Sequence, residues 1–104
     1  MSQRQEQMQE RVREAAAEFL NAESNGQSLI TVTAAQVDER GQRATIFITV
    51  LPDSAEQKAL EFANRNKQEF GMFLLKRVRG MRIPKLEFVI DKGEKMRQRL
   101  DELS

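Results

Sequence analysis

LITVTAAQVDERGQRATIFITVL, residues 29–51, contains two segments that are rich in β-branched side chains. The first, LITVTAAQV (29–37), and the second, RATIFITVL (43–51), favour β-strands. Between them, DERG (38–41) ends in glycine, as a short hairpin connection often does. The pattern therefore predicts an antiparallel hairpin, in which Ile46, Ile48 and Val50 lie on one face of the second strand.

An amphipathic helix over 3–21 is predicted to precede this hairpin, with a loop at Asn25-Gly26 between them. Apolar side chains recur there at helical spacing among Glu and Arg residues. They are Met8, Val12, Ala15, Ala16 and Phe19.

The segment after the hairpin predicts two consecutive helices, 54–65 and 68–79. Ser54 and Gln57 have the spacing of a capping box at the start of the first. Asn66 falls in the middle of the apolar stripe, where an amide buried without partners would cost about 1–3 kcal/mol. We therefore expect the helix to break or kink there. The stripe consists of Ala55, Ala59, Phe62, Ala63, Phe70, Phe73 and Leu74.

The C-terminal part predicts a third strand, 85–91, and a closing helix, 94–103. Gly80 suits the end of the preceding helix, and Pro84 prevents its continuation. Leu86, Phe88 and Ile90 alternate in the strand, and Met96, Leu100 and Leu103 have helical spacing. The chain is thus expected to form a single α+β domain over 1–104. Its order is α-β-β-α-α-β-α, with a three-stranded sheet covered by helices.

The composition excludes several classes of protein. The 104 residues include no Cys and no His, which excludes disulfide scaffolds, zinc fingers and Ser–His or Cys–His catalytic pairs. The carboxylates form no convincing catalytic pair, so we expect no enzyme, no metal site and no cofactor. No apolar run could span a membrane, and Glu6, Glu10 and Glu14 make the N-terminus unlike a secretory signal. A cytoplasmic protein is expected.

Charge is concentrated in residues 65–85, called here the basic segment. The formal net charge of the whole chain is only +1, yet this segment has seven basic side chains against one acidic side chain, Glu69. A local excess of this kind is typical of a protein that binds a polyanion through one face. The seven are Arg65, Lys67, Lys76, Arg77, Arg79, Arg82 and Lys85.

The chain resembles the ribosome-binding factor A family, whose members have a type II KH-like RNA-binding domain. The resemblance covers about residues 5–103. Its most specific part is Arg79-Gly80-Met81-Arg82-Ile83-Pro84-Lys85-Leu86-Glu87-Phe88 followed by Asp91, which is similar to the family's Arg-rich segment and its Pro-x-Leu-x-Phe-x-x-Asp motif. Where the family usually has Ala-x-Gly at the break between the central helices, this chain has Asn66-Lys67-Gln68.

The resemblance implies a non-catalytic factor that binds rRNA of the small ribosomal subunit during its maturation. The sequence gives no hint of a homo-oligomer, so a monomer is expected. The alternatives are a general single-stranded RNA binder and a protein–protein interaction module that uses the first and last helices. RNA contact is expected from the seven basic side chains, for which the alternative is a solvated helix face. Arg82 and Lys85 could also guard a strand edge, and Asn66-Lys67-Gln68 could be only a helix break. The six Phe residues are expected in the core, apart from Phe47.

Overall fold

The computed structural model of the chain describes residues 3–23, 28–82 and 84–103. The predicted loop at Asn25-Gly26 lies outside these residues. The α+β class and the order α-β-β-α-α-β-α are confirmed. The elements are α1 (Gln3–Glu23), β1 (Leu29–Val37), β2 (Arg43–Leu51), a 3-10 turn (Asp53–Ala55), α2 (Glu56–Arg65), α3 (Lys67–Arg77), β3 (Lys85–Ile90) and α4 (Lys92–Leu103). No helix in the described residues is long and apolar enough to cross a membrane.

The three strands form one sheet in the order β1-β2-β3. β1 and β2 are the predicted antiparallel hairpin, and β3 pairs in parallel with β2 because α2 and α3 carry the chain back along the sheet. In the hairpin turn, the backbone amide of Gln42 donates to Asp38 Oδ1 at 2.7 Å. Gly41 has a φ of 69°, a left-handed conformation that glycine adopts without strain.

A β-bulge interrupts β1 at Thr33. Val32 lies opposite Ile48, whereas Ala34 lies opposite Phe47, so the ladder shifts between them. Because side chains alternate along a strand, the extra residue changes which positions face inward. The buried residue before the bulge is Val32, and those after it are Ala35 and Val37.

The core lies between α1, α2 and α3 on one side and one face of the sheet on the other. Phe70 of α3 is at its centre, with ring centroids 5.2 Å from Phe19 of α1 and 5.6 Å from Phe88 of β3. Ring pairs at these separations add to the burial energy. The core assignment of Phe19, Phe70 and Phe88 is therefore confirmed, and Phe47 is half-buried on the opposite face of the sheet.

α1 ends at Glu23, two residues after its predicted end, and the starts of α2 and α3 also differ from the prediction. The Ser54–Gln57 capping box does not form, since neither the 3-10 turn nor α2 has a side-chain cap. The chain instead enters α2 through the 3-10 turn, where the amide of Ala55 donates to the Pro52 carbonyl at 2.9 Å. α3 begins at Lys67, one residue before the predicted start, directly after the break.

α3 ends at Arg77, two residues before the predicted end. Val78 is extended, with φ −120° and ψ 108°, and its side chain is buried in the core. Gly80 lies in the turn that follows, with a φ of 76°. The apolar side chain of Val78 thus terminates the helix, and Gly80 reverses the chain.

β3 ends at Ile90 and α4 begins at Lys92, because Asp91 caps the helix. Its Oδ1 accepts a hydrogen bond from the amide of Glu94 at 3.0 Å, as an N-cap aspartate does. The sequence signal was Asp91 followed three residues later by Glu94. The predicted strand end at 91 and helix start at 94 are therefore wrong, because Asp91 caps α4 instead of continuing the strand.

Candidate RNA-binding surface

The fold places the basic segment in two groups at opposite ends of α3. Arg65 and Lys67 lie at the α2–α3 junction, whereas Lys76 lies in the last turn of α3. The second group also includes Arg79 and Arg82 in the connection and Lys85 at the start of β3. α3 has 11 residues, which corresponds to a length of about 16 Å at 1.5 Å per residue. The two groups are separate because residues 68–75, most of α3, contain no basic side chain.

Most of these side chains are accessible to a ligand. Lys67 is half-buried, and the other six are exposed. Within residues 3–23, 28–82 and 84–103, ion pairing engages only one of the seven cations, Arg77. The remaining charges therefore have no carboxylate partner in the described chain and could meet phosphate groups.

Arg77 is held by the first helix. Its Nη2 donates to Glu18 Oε1 at 2.7 Å, and its guanidinium lies 5.0 Å from the centroid of the Phe73 ring. Glu18 and Arg77 are 59 residues apart in the sequence. Arg77 thus links α3 to α1, a role for which local sequence carries no signal.

The helix break at Asn66 uses its side chain as well as its backbone. Asn66 Nδ2 donates to the Phe62 carbonyl at 2.8 Å, which satisfies an acceptor in the last turn of α2. The Asn66 backbone has φ −102° and ψ 19°. Because this φ is negative, a residue other than glycine can adopt the conformation. The break therefore does not require a glycine at this position.

The same geometry leaves the start of α3 without a side-chain cap. Asn66 is engaged with Phe62, so its amide does not satisfy the first N–H groups of α3. Those N–H groups carry partial positive charge, and Lys67 beside them is cationic, so both favour an anion. Glu69, also in the first turn, has the opposite effect. Both interpretations of Asn66-Lys67-Gln68, a phosphate contact and a plain helix break, are compatible with this geometry.

Lys85 lies at an edge of the sheet, because within the described part of the chain β3 pairs with β2 alone, and Arg82 lies in the connection before this strand. Both side chains are exposed, whereas Pro84 between them is buried. An edge position suits either a phosphate contact or protection of the strand from unwanted pairing.

The residues of the Pro-x-Leu-x-Phe-x-x-Asp motif support this surface through core packing and hydrogen bonds. Pro84, Leu86 and Phe88 are buried, and Asp91 joins three elements. Asp91 Oδ2 accepts a hydrogen bond from the Thr33 hydroxyl of β1 at 2.6 Å, while Oδ1 caps α4. The Thr33 hydrogen bond, followed by that from the Glu94 amide, lowers the pKa of Asp91 below its ordinary value of 3.8.

The described residues contain no group of three or more Cys, His, Asp or Glu side chains that could hold a metal ion. What the surface offers chemically is charge and hydrogen-bond donors on a rigid support.

Comparison with known proteins identifies the family. Residues 4–104 match the family described as Ribosome-binding factor A. The chain belongs to this family. A ribosome-binding factor A from Fervidobacterium nodosum is 30% identical over 77 residues, which is 73% of this chain. The match covers 62% of that relative, so the chain spans about three fifths of the relative's length.

Solved structures of ribosome-binding factor A share the fold. The crystal structure of the Thermus thermophilus protein has a TM-score of 0.76 at 24% identity, covering 86% of this chain and 97% of the other. A homology model of the Thermus thermophilus factor, fitted into the cryo-EM map of a 30S complex, has a TM-score of 0.68 at 23% identity. That match covers 89% of this chain and 97% of the other. The resemblance predicted from the sequence is thereby confirmed.

Proposed function

We propose that this chain is a non-catalytic, monomeric, cytoplasmic factor that binds rRNA of the small ribosomal subunit during its maturation. Family membership supports the ribosomal role, and a Thermus thermophilus relative has been fitted into a 30S complex. The observation that carries the rRNA part is the group of exposed cations at the C-terminal end of α3. Lys76, Arg79 and Arg82 have no carboxylate partner in the described chain.

Binding is electrostatic in this mechanism. The cations would replace counterions condensed on rRNA phosphates, and the release of those counterions drives association. Lys76 has a firm support, since α3 is anchored in the core through Phe70 and Leu74. Phosphate contacts fix position without reading base identity, so the shape of folded rRNA would determine where the factor docks.

Within the basic segment, the contributions differ. Lys76, Arg79, Arg82 and Lys85 would form the main contact, and Arg65 with Lys67 a second one at the α2–α3 junction. Arg77 would contribute least, because its guanidinium already binds Glu18.

Co-sedimentation with free small subunits, complete ribosomes and protein-free RNA, each at two or more salt concentrations, tests this function. Selective retention on free small subunits is expected. Four to six phosphate contacts imply a slope of log K against log salt of roughly −3 to −5. Equal binding to any RNA would favour the general RNA binder, and binding to none would contradict the proposal.

The double variant Lys76→Glu and Arg79→Glu locates the contact. It should lose most subunit binding, because two attractive charges become repulsive. Lys58→Glu is the control, since Lys58 is also exposed but lies near the start of α2, away from this group of cations. If the double variant binds as well as the control, the C-terminal end of α3 is not the site.

A further inference from the structure

The face of the sheet that points away from the core carries one aromatic side chain, Phe47. Because side chains alternate along a strand, Ile46 and Ile48 of β2 enter the core while Phe47 points the other way. α1, α2 and α3 pack on the core face, and within the described ranges no helix packs across the opposite one. We call this opposite side of β2 and β3 the open face. Its residues are Arg43, Thr45, Phe47, Thr49, Lys85, Glu87 and Val89.

The side chains around Phe47 are smaller than its ring. In the strand register, Phe47 lies opposite Ala34 of β1 on one side and Val89 of β3 on the other. Thr45 and Thr49 are its neighbours along β2 on the same face. Phe47 is half-buried among them and is not packed against the core. One side of the ring is therefore accessible to a flat ligand.

Two cations lie side by side on the same face. Arg43 of β2 and Lys85 of β3 are register partners, and both are exposed. In the part of the chain that the structure describes, neither forms an ion pair. Each is four residues from the register pair of Phe47 and Val89, which corresponds to about 13 Å along the strands at 3.3 Å per residue.

The carboxylates on the open face determine where an anion can bind. Glu87 is exposed and lies two residues after Lys85, so it would repel a phosphate from the middle of the face. Asp91, two residues after Val89, already accepts hydrogen bonds from the Thr33 hydroxyl and the Glu94 amide. The free positive charge is therefore at the Lys85 end, and an uncharged planar group suits the area around the ring.

We propose that an unpaired rRNA base of the small subunit stacks on Phe47, while a neighbouring phosphate contacts Arg43 and Lys85. Aromatic side chains on an uncovered sheet stack on unpaired bases in this way, and nearby cations bind the backbone. This inference rests on the function proposed above and adds that part of the bound rRNA is single-stranded. Since Lys85 belongs to the basic segment, the open face is continuous with the main contact proposed above.

The test compares two probes, a short single-stranded oligoadenylate and a duplex RNA of the same length. Bases in the duplex are paired and stacked on each other, so they cannot reach the sheet. The test variant is Phe47→Leu, which removes the ring without changing charge. The control is Phe62→Leu, the same change at a half-buried Phe of α2 that packs against the core. Circular dichroism and thermal unfolding establish that each variant is folded.

Phe47→Leu should bind the single-stranded probe about tenfold more weakly than the wild type. Its affinity for the duplex should not change, and neither should the slope of log K against log salt, because no charge is lost. The control should bind both probes as the wild type does. Unchanged binding of Phe47→Leu to the single-stranded probe would overturn the inference. An equal loss on both probes would also overturn it, since stacking cannot weaken the binding of a paired duplex.

A second variant, Phe47→Trp, reports on position rather than affinity. The chain has no Trp, so the introduced indole is the sole one, and a base stacked on it quenches its fluorescence. Binding of the single-stranded probe should be retained and should quench the emission, whereas the duplex should leave it unchanged. Binding of the single-stranded probe without quenching would show that the RNA lies elsewhere, and the inference would be wrong.

The wild type separates this inference from the proposed function. If it binds free small subunits and the duplex but not the single-stranded probe, the stacking contact is wrong and the proposed function stands. If it binds no RNA and no small subunits, the proposed function fails, and this inference fails with it.

Discussion

Arg77 and Glu18 form an ion pair of 2.7 Å that joins α3 to α1 across 59 residues of sequence. The guanidinium also lies over the Phe73 ring. A cation-π contact and an exposed ion pair each contribute at most about 1 kcal/mol. Arg77 is therefore part of the packing of the two helices, although it belongs to the basic segment.

Replacing Arg77 and Arg79 separately should distinguish a residue that stabilises the fold from one that binds rRNA. Arg77→Ala should lower the free energy of unfolding by about 1 kcal/mol and change the salt dependence of subunit binding little. Arg79→Ala should leave stability nearly unchanged and reduce the magnitude of the log–log salt slope by about one. Urea denaturation and salt-dependent binding measure the two effects. The opposite assignment, in which Arg77→Ala reduces the salt slope, would show that Arg77 leaves Glu18 to bind RNA.

The hydrogen bond between Thr33 and Asp91 should stabilise the sheet and α4 together. Thr33→Val removes the donor and leaves Asp91 with hydrogen bonds from backbone amides at the start of α4. We expect a loss of about 1–2 kcal/mol in the free energy of unfolding, as for other hydrogen bonds to a charged group. Thr31→Val is the control, because Thr31 is exposed on the same strand. Equal stability of the two variants in urea would mean that the Thr33–Asp91 bond contributes nothing.

Stability should fall in acid partly through Asp91. Its pKa is lower in the folded protein than the ordinary value of 3.8, chiefly because of the Thr33 hydroxyl. A carboxylate of this kind stabilises the fold at pH values above its unfolded pKa, and the contribution disappears as the pH falls through the folded pKa. The unfolding free energy of the wild type should therefore decrease more steeply below about pH 4 than that of Asp91→Asn. Parallel pH profiles for the two proteins would contradict the assignment.

Replacing Gly80 and Gly93 by alanine should change the stability of the protein in opposite directions. Gly80 has a φ of 76°, and an added Cβ would meet no atom within 4 Å, so the cost is one of backbone conformation alone. Gly80→Ala should destabilise the protein by about 1 kcal/mol. Gly93 lies in the first turn of α4, where a Cβ would be in ordinary contact with Asp91 Oδ1 at 3.5 Å. Gly93→Ala should be neutral or stabilise by up to about 0.5 kcal/mol. Differential scanning calorimetry of both variants checks the signs.

Much of the fold was predictable because its signals are local. The hairpin strands were predicted at 29–37 and 43–51, and β1 and β2 have those bounds. The break at Asn66 was predictable because a polar amide interrupts an otherwise continuous apolar stripe. Among the helix ends that differ from the prediction, two local signals compete at Asp91, and at Val78 the side chain is buried in the core.

The candidate surface was predictable in composition and not in arrangement. Charge density along the chain identified residues 65–85, since clustering in sequence needs no knowledge of the fold. The sequence did not indicate that Arg77 is engaged by Glu18, or that Met72 and Leu75 are exposed between the two groups of cations. Exposure depends on which neighbouring elements cover a side chain, and that is a property of the packed molecule.

By itself, the sequence determined the elements, their order, the family and the basic segment, because periodicity, β-branching and charge act over a few residues. Tertiary structure alone decided that Glu18 binds Arg77. It also decided that Thr33, the residue at the bulge, donates a hydrogen bond to Asp91. The attachment of α4 through Asp53 and Glu56 likewise depends on the packed fold. Each of these contacts joins residues far apart in the chain. Their geometry exists only after the helices have packed on the sheet, so no local pattern in the sequence can encode it.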